Sequence, residues 1–104
     1  MITDMATFVM LTKLSHEALV SPRSFEELSD AVRTRLHKEC PGVEWLSSYV
    51  LLGPNDYLDI FAAPDTESAA KVATLVRSYG HASTVVWPAV DWNAFKTIVR
   101  SIAD

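Results

Sequence analysis

The side chains best suited to chemistry gather around one stretch, GPNDYLDIFAAPD at residues 53–65, and around histidines elsewhere in the chain. His81 is the natural proton carrier, because an imidazole with an unperturbed pKa of about 6.5 gives and takes protons at neutral pH. Asp56 is the carboxylate that could orient that ring, and Lys13 could hold an anionic oxygen of a substrate or enolate. These three are the catalytic candidates. His16, Asn55, Tyr57 and Asp59 are the candidate ligand contacts. His16, His81 and Asp56 have the composition of a two-His-one-carboxylate metal site, yet no H-x-x-x-H or C-x-x-C spacing supports one, so no metal is expected. Without a Gly-rich phosphate loop, a Ser-His-Asp order or a dinucleotide fingerprint, no cofactor is expected either. Each residue also has an ordinary reading: a turn Asp satisfying hairpin amides, an exposed His after a helix stop, a Lys at a strand edge.

Asp59 is less ordinary. A carboxylate between Leu58 and Ile60 in a strand must meet water, a partner or a pocket if it stays ionised. It reads as the polar group of a cavity or, more simply, as a hydrogen-bond partner of Tyr49 or Ser47. Cys40 continues an apolar line from Leu36 and reads as a small buried hydrophobe, while His37 falls on the polar side of the same helix. Trp45, Trp87 and Trp92 read as packing and interface residues.

For the catalytic candidates to meet, the elements must bring four segments to one end of a sheet. TFVMLTKL, residues 7–14, reads as a strand. Ser24 with Glu27 forms a capping box, after which Phe25, Leu28, Val32 and Leu36 recur at helical spacing until Pro41-Gly42. Residues 43–53 and 56–64 are strand-like runs joined at Gly53-Pro54-Asn55, which predicts a tight hairpin. Asp65 or Thr66 caps a second helix in which Ala69, Val72, Ala73 and Val76 share a face, with Gly80 as its stop. Residues 82–90 form a last strand, and Asp91 caps a final helix with Trp92, Phe95, Val99 and Ile102 along one side.

This order, βαββαβ plus a C-terminal helix, predicts an α+β ferredoxin-like sandwich with sheet order 4-1-3-2 and both main helices on one face. The ends of the first strand, the hairpin loop and the start of the fourth strand then lie together, and His37 and Cys40 lie apart from them. Alternation groups Phe8, Met10, Thr12, Trp45, Ser47, Tyr49, Leu51, Tyr57, Asp59, Phe61, Val85 and Trp87, which we expect on the uncovered face. An aromatic surface of that size predicts a homodimer through the sheet face; the alternative is that the set is the helix-covered core.

The chain has 104 residues, 49 % hydrophobic and 21 % charged, with a formal net charge of −4. That is a single domain, 1–104, with room for one core. No basic stripe attracts a phosphate backbone or an anionic bilayer, so neither nucleic acid nor membrane is expected as a partner. No stretch reaches the roughly 18 to 20 apolar residues of a bilayer span. One cysteine closes no intrachain disulfide, which agrees with a cytoplasmic location.

The run Gly53 to Asp65, with Asp56 three residues after Gly53 and Ala63-Pro64-Asp65 closing the strand, resembles the signature of the GYD-domain family. The opening ATFVMLTKLSHEA resembles that family's N-terminus, and the likeness covers about residues 6–100. Asn55 stands where the family's central Tyr is expected, with Tyr57 two positions later. The resemblance implies a dimeric α/β barrel from a group that includes cofactor-free monooxygenases, lactone isomerases and haem enzymes, so it implies a fold more than a reaction. Two functions follow as expectations: a small-molecule pocket between sheet and helices, serving proton transfer or cofactor-free oxygenation, or a non-catalytic dimerisation or accessory module.

Overall fold

A computed structural model describes residues 5–15, 22–78 and 82–103. The elements are β1 (Ala6–Leu14), α1 (Pro22–Glu39), β2 (Glu44–Val50), β3 (Tyr57–Ala63), α2 (Thr66–Arg77), β4 (Ala82–Ala89) and α3 (Trp92–Arg100). The four strands form one sheet in the order β2-β3-β1-β4, with every neighbour antiparallel. This is the expected α+β order and the expected sheet order.

Local sequence accounts for most element ends. α1 starts at Pro22, two residues before the expected cap, because proline at a helix start has no N–H to leave unpaired. The Asp65 carboxylate accepts from Ser68 N–H at 2.8 Å and caps α2. Asp91 accepts from Asn93 and Ala94 N–H and caps α3. The β2–β3 connection is longer than a tight hairpin turn: Val50 and Tyr57 form the last pair, and Leu51 N–H donates to the Asp56 carbonyl at 2.9 Å.

α2 is fastened to the sheet by Arg77, whose Nε donates to Thr84 Oγ1 at 2.9 Å and whose guanidinium also reaches the Thr84 carbonyl at 2.6 Å. Lys71 Nζ donates to the Glu39 carbonyl at 2.8 Å, so a residue of α2 satisfies an orphan carbonyl at the end of α1. The core under these helices is aromatic along one line. Phe61 is fully buried and stacks on Phe8 at 5.6 Å and on Trp45 at 5.3 Å between ring centroids.

The face assignment read from alternation needs correction. Phe8, Met10, Thr12, Trp45, Tyr57, Asp59 and Phe61 lie on the helix-covered side: Phe8 pairs with Phe61, Met10 with Asp59, Thr12 with Tyr57, and the first three are buried. Ser47, Tyr49, Val85 and Trp87 do lie on the open side, sharing it with Val9, Leu11, Leu58 and Ile60. Leu51 is outside any strand. Within β2 the set is split by an irregularity between Trp45 and Ser47, where β2 gains one residue against β3; in β4 the pairing with β1 sets Thr84 and Val86 beside Thr12 and Met10 and leaves Val85 and Trp87 beside Leu11 and Val9 on the open side.

Candidate functional site

The end of the sheet that was expected to collect polar groups does so through backbone contacts. The Asp56 carboxylate accepts from Leu14 N–H at 2.7 Å, and Asp56 N–H donates to the Thr12 carbonyl at 2.8 Å. Lys13 Nζ donates to the Pro54 carbonyl at 3.0 Å. Asp56 and Lys13 therefore pin the β2–β3 connection to the end of β1, which gives the carboxylate a structural task. Ala82, the first residue of β4, pairs with Leu14 at this same end. Asn55 sits half-buried in the connection. His81 and His16 lie outside the described residues, so the His81–Asp56 pair and the two-His-one-carboxylate set have only Asp56 on the described surface. Among the described residues, no group of three His, Cys, Asp or Glu could hold a metal ion.

Tyr57 and Asp59 meet elsewhere. Between α1 and the helix-covered side of the sheet is a cavity of about 220 Å³. Its floor is Met10, Thr12, Tyr57 and Asp59, and its roof is Leu28, Val32 and Leu36 of α1. Trp45 and Ser48 close one side, and Arg33 stands on α1 beside them. Tyr57 is held in place by an edge-to-face contact with Phe25 at 6.4 Å.

The irregular β2 pairing builds the polar corner of this cavity. In an even strand Trp45 and Ser48 would face opposite ways; after the extra residue both face α1, and Ser48 pairs with Asp59. Trp45 Nε1–H donates to Ser48 Oγ at 2.8 Å. Burial in the apolar cavity pushes the Asp59 carboxyl above the usual carboxylate range, against the hydrogen bonds from Ser48 and Trp45 and the nearby Arg33 guanidinium. The Asp59 partners are therefore Ser48 and Trp45, where alternation suggested Tyr49 or Ser47. Tyr57 is raised as well, first by burial and then by Asp56 and Asp59. A proton held on Asp59 is thus easier to keep toward neutral pH than on an exposed aspartate.

Asp59 and Tyr57 are the ligand candidates that the structure brings together. Trp45, Ser48 and Arg33 were missed as site residues. Arg33 falls on the polar side of its helix, and strict alternation along β2 sets Ser48 on the opposite face from Trp45, so neither was named as a site residue. Cys40 is buried, with its thiol pushed up chiefly by burial, and His37 is exposed on the same helix turn.

A four-stranded antiparallel sheet with two helices over one face and a small cavity between the layers defines an α+β protein of ferredoxin-like type. The GYD domain profile matches residues 8–99, and the chain belongs to that family. No curated protein matches it. Among solved structures it is similar to the hypothetical protein ORF119 from Sulfolobus islandicus rod-shaped virus 1, at 10 % identity and a TM-score of 0.51 over 93 % of this chain and 78 % of that one. That likeness concerns the fold. Among the described residues, no helix is long and apolar enough to cross a membrane.

Proposed function

We propose that this GYD-family protein binds a small aromatic or carbonyl compound in the cavity beneath α1 and moves a proton on it through Asp59, as a homodimer joined through the open sheet face. The observation that carries the reading is the cavity itself: an apolar space of about 220 Å³ with convergent polar groups at one corner. At roughly 30 Å³ per water it has room for about seven waters, which suits a compact ligand. An apolar body would lie against Met10, Leu28, Val32 and Leu36, and its polar group would meet Asp59. The carboxyl raised by burial is suited to exchanging a proton with a weakly acidic carbon or hydroxyl, and Arg33 is the cation available to a developing oxyanion.

The dimer rests on a separate feature. Tyr49, Val85 and Trp87 are exposed to 57 %, 47 % and 53 % on the open face, beside the partly buried Val9, Leu11, Leu58 and Ile60. A second reading, an accessory module without chemistry, draws on Asp56 and Lys13 being engaged with backbone groups.

Titration of labelled protein with phenol, benzaldehyde and acetophenone tests the pocket. The expected result is movement of the Trp45 indole N–H and of the Ser48, Tyr57 and Asp59 amides, and its loss when Val32→Trp fills the cavity. Binding unaffected by Val32→Trp, or shifts confined to other surfaces, would overturn the reading in favour of the accessory module.

A further inference from the structure

α3 is the one helix of the described chain with no buried residue. Trp92, Phe95, Ile98, Val99 and Ile102 are exposed to 68 %, 43 %, 47 %, 49 % and 64 %. Trp92, Phe95 and Val99 recur three and four residues apart, which puts them on one side of the helix, and the Trp92 and Phe95 rings touch at 5.5 Å. The helix has nine residues. Isolated helices shorter than about 12–15 residues are marginal in water, so a helix this short needs a surface to lie on. Among the described residues, no other element buries any residue of it. The radius of gyration is 15.7 Å, against about 13 Å for a compact chain of this length, as expected when one element projects from the body.

We infer that α3 docks by its apolar side on a second copy of this chain, forming one reciprocal interface together with the open sheet face. The areas point to this occupant. Five α3 side chains, exposed to between 43 % and 68 % and carrying roughly 150–250 Å² each for the larger ones, offer about 500 Å². The open face, from Tyr49, Val85, Trp87 and the partly buried residues between them, offers about 400 Å² more. Neither reaches the roughly 800 Å² per partner of a stable interface; the two together do. A two-fold contact uses the same patches on both copies, so each α3 is matched by an equal surface on its partner. Charge agrees. The charged residues within α3 are Lys96 and Arg100, whereas the whole chain carries a net −4, so the helix approaches a second copy without like-charge repulsion.

This inference rests on the homodimer proposed above and adds the element that completes it. The experiment uses the full chain with a photo-crosslinking residue in place of Phe95, in a mixture of isotopically light and heavy protein, with light scattering on the wild type, Phe95→Glu/Ile98→Glu and Trp87→Glu. The expected result is a wild-type dimer, light-to-heavy crosslinks from position 95, and at least a tenfold weaker dimer in both variants. Far-UV circular dichroism of the α3 variant should keep the signal of the sheet, α1 and α2, since its substituted residues are exposed in the single chain, and lose at most the contribution of the nine α3 residues left without a surface. A dimer untouched by the α3 substitutions, without light-to-heavy crosslinks, overturns the role of α3 while leaving the sheet-face dimer standing. A wild-type monomer at micromolar concentration overturns both.

Discussion

The two faces of the sheet are made of similar residues and meet different surroundings. On one side Phe8, Met10 and Phe61 form a core with Leu36 of α1 and Val72 of α2; on the other Val9, Leu11 and Ile60 alternate with them along β1 and β3, beside Val85 and Trp87 of β4. In β1 and β3 the open side is as apolar as the covered one. Burial in this chain is therefore decided by where the crossover helices fall, and an apolar side chain left on the other face is available to a partner.

The sharpest way to break this comparison is to remove an aromatic ring from each face. Phe61 is fully buried between Phe8 and Trp45, so Phe61→Ala should destabilise the fold by about 3–5 kcal/mol through lost burial and the cavity left behind. Trp87 is 53 % exposed, and Trp87→Ala should change the stability of the monomer far less, by about 1 kcal/mol or below. Urea denaturation at a concentration where the protein is monomeric compares the two. Similar losses would mean that the open face is covered within one chain.

A smaller effect separates the two polar centres. Asp56 holds Leu14 N–H at 2.7 Å in a part-buried position, so Asp56→Ala should cost about 1–3 kcal/mol by leaving that amide without its acceptor. Hydrogen exchange at Leu14 should rise along with the loss. If denaturation midpoints do not move while turnover of a bound compound falls, Asp56 belongs to the chemistry and the pairing with His81 regains its place.

How much of this was legible in the sequence follows from what each signal encodes. Asp65 and Asp91 were readable as caps because the preference is local and chemical, and the strand order followed from the alternation of element types. The meeting of Lys13 with the 53–56 segment followed from strand direction alone. The face of Phe8 and Phe61 was not readable, because both registers of β1 and β3 are apolar and period-2 alternation has no sign. The Trp45–Ser48–Asp59 corner was hidden by one extra residue in β2, which WLSSY does not announce with a Gly or Pro. Asp59 alone betrayed the cavity, as a carboxylate where a strand interior offers no water. The exposure of α3 was hidden for the opposite reason: its capped, amphipathic sequence reads the same whether its apolar side meets its own sheet or another molecule.

The smallest expected effect concerns that carboxylate. Burial raises Asp59 above the ordinary carboxylate range, so the folded chain binds this proton more tightly than the unfolded chain. Its contribution to stability is full below the unfolded pKa of about 3.9 and is lost as pH rises through the higher folded value. Asp59→Asn cannot ionise and keeps an acceptor for Ser48. Its stability relative to wild type should therefore climb as pH rises across that window and level off above it, by no more than about 1 kcal/mol for a half-buried group. Asp65 is lowered by its Ser68 contacts and gives the opposite slope, but it is common to both proteins and cancels in the difference. Paired thermal melts from pH 3 upward in half-unit steps are the measurement. Arg33→Gln, which removes the cation that opposes the upward shift, should steepen the wild-type fall. A difference that is flat with pH would mean that Ser48, Trp45 and Arg33 balance the burial, and a difference of opposite slope would mean that they outweigh it. In either case Asp59 would be an ordinary ionised carboxylate, and its part in proton transfer would pass to another group.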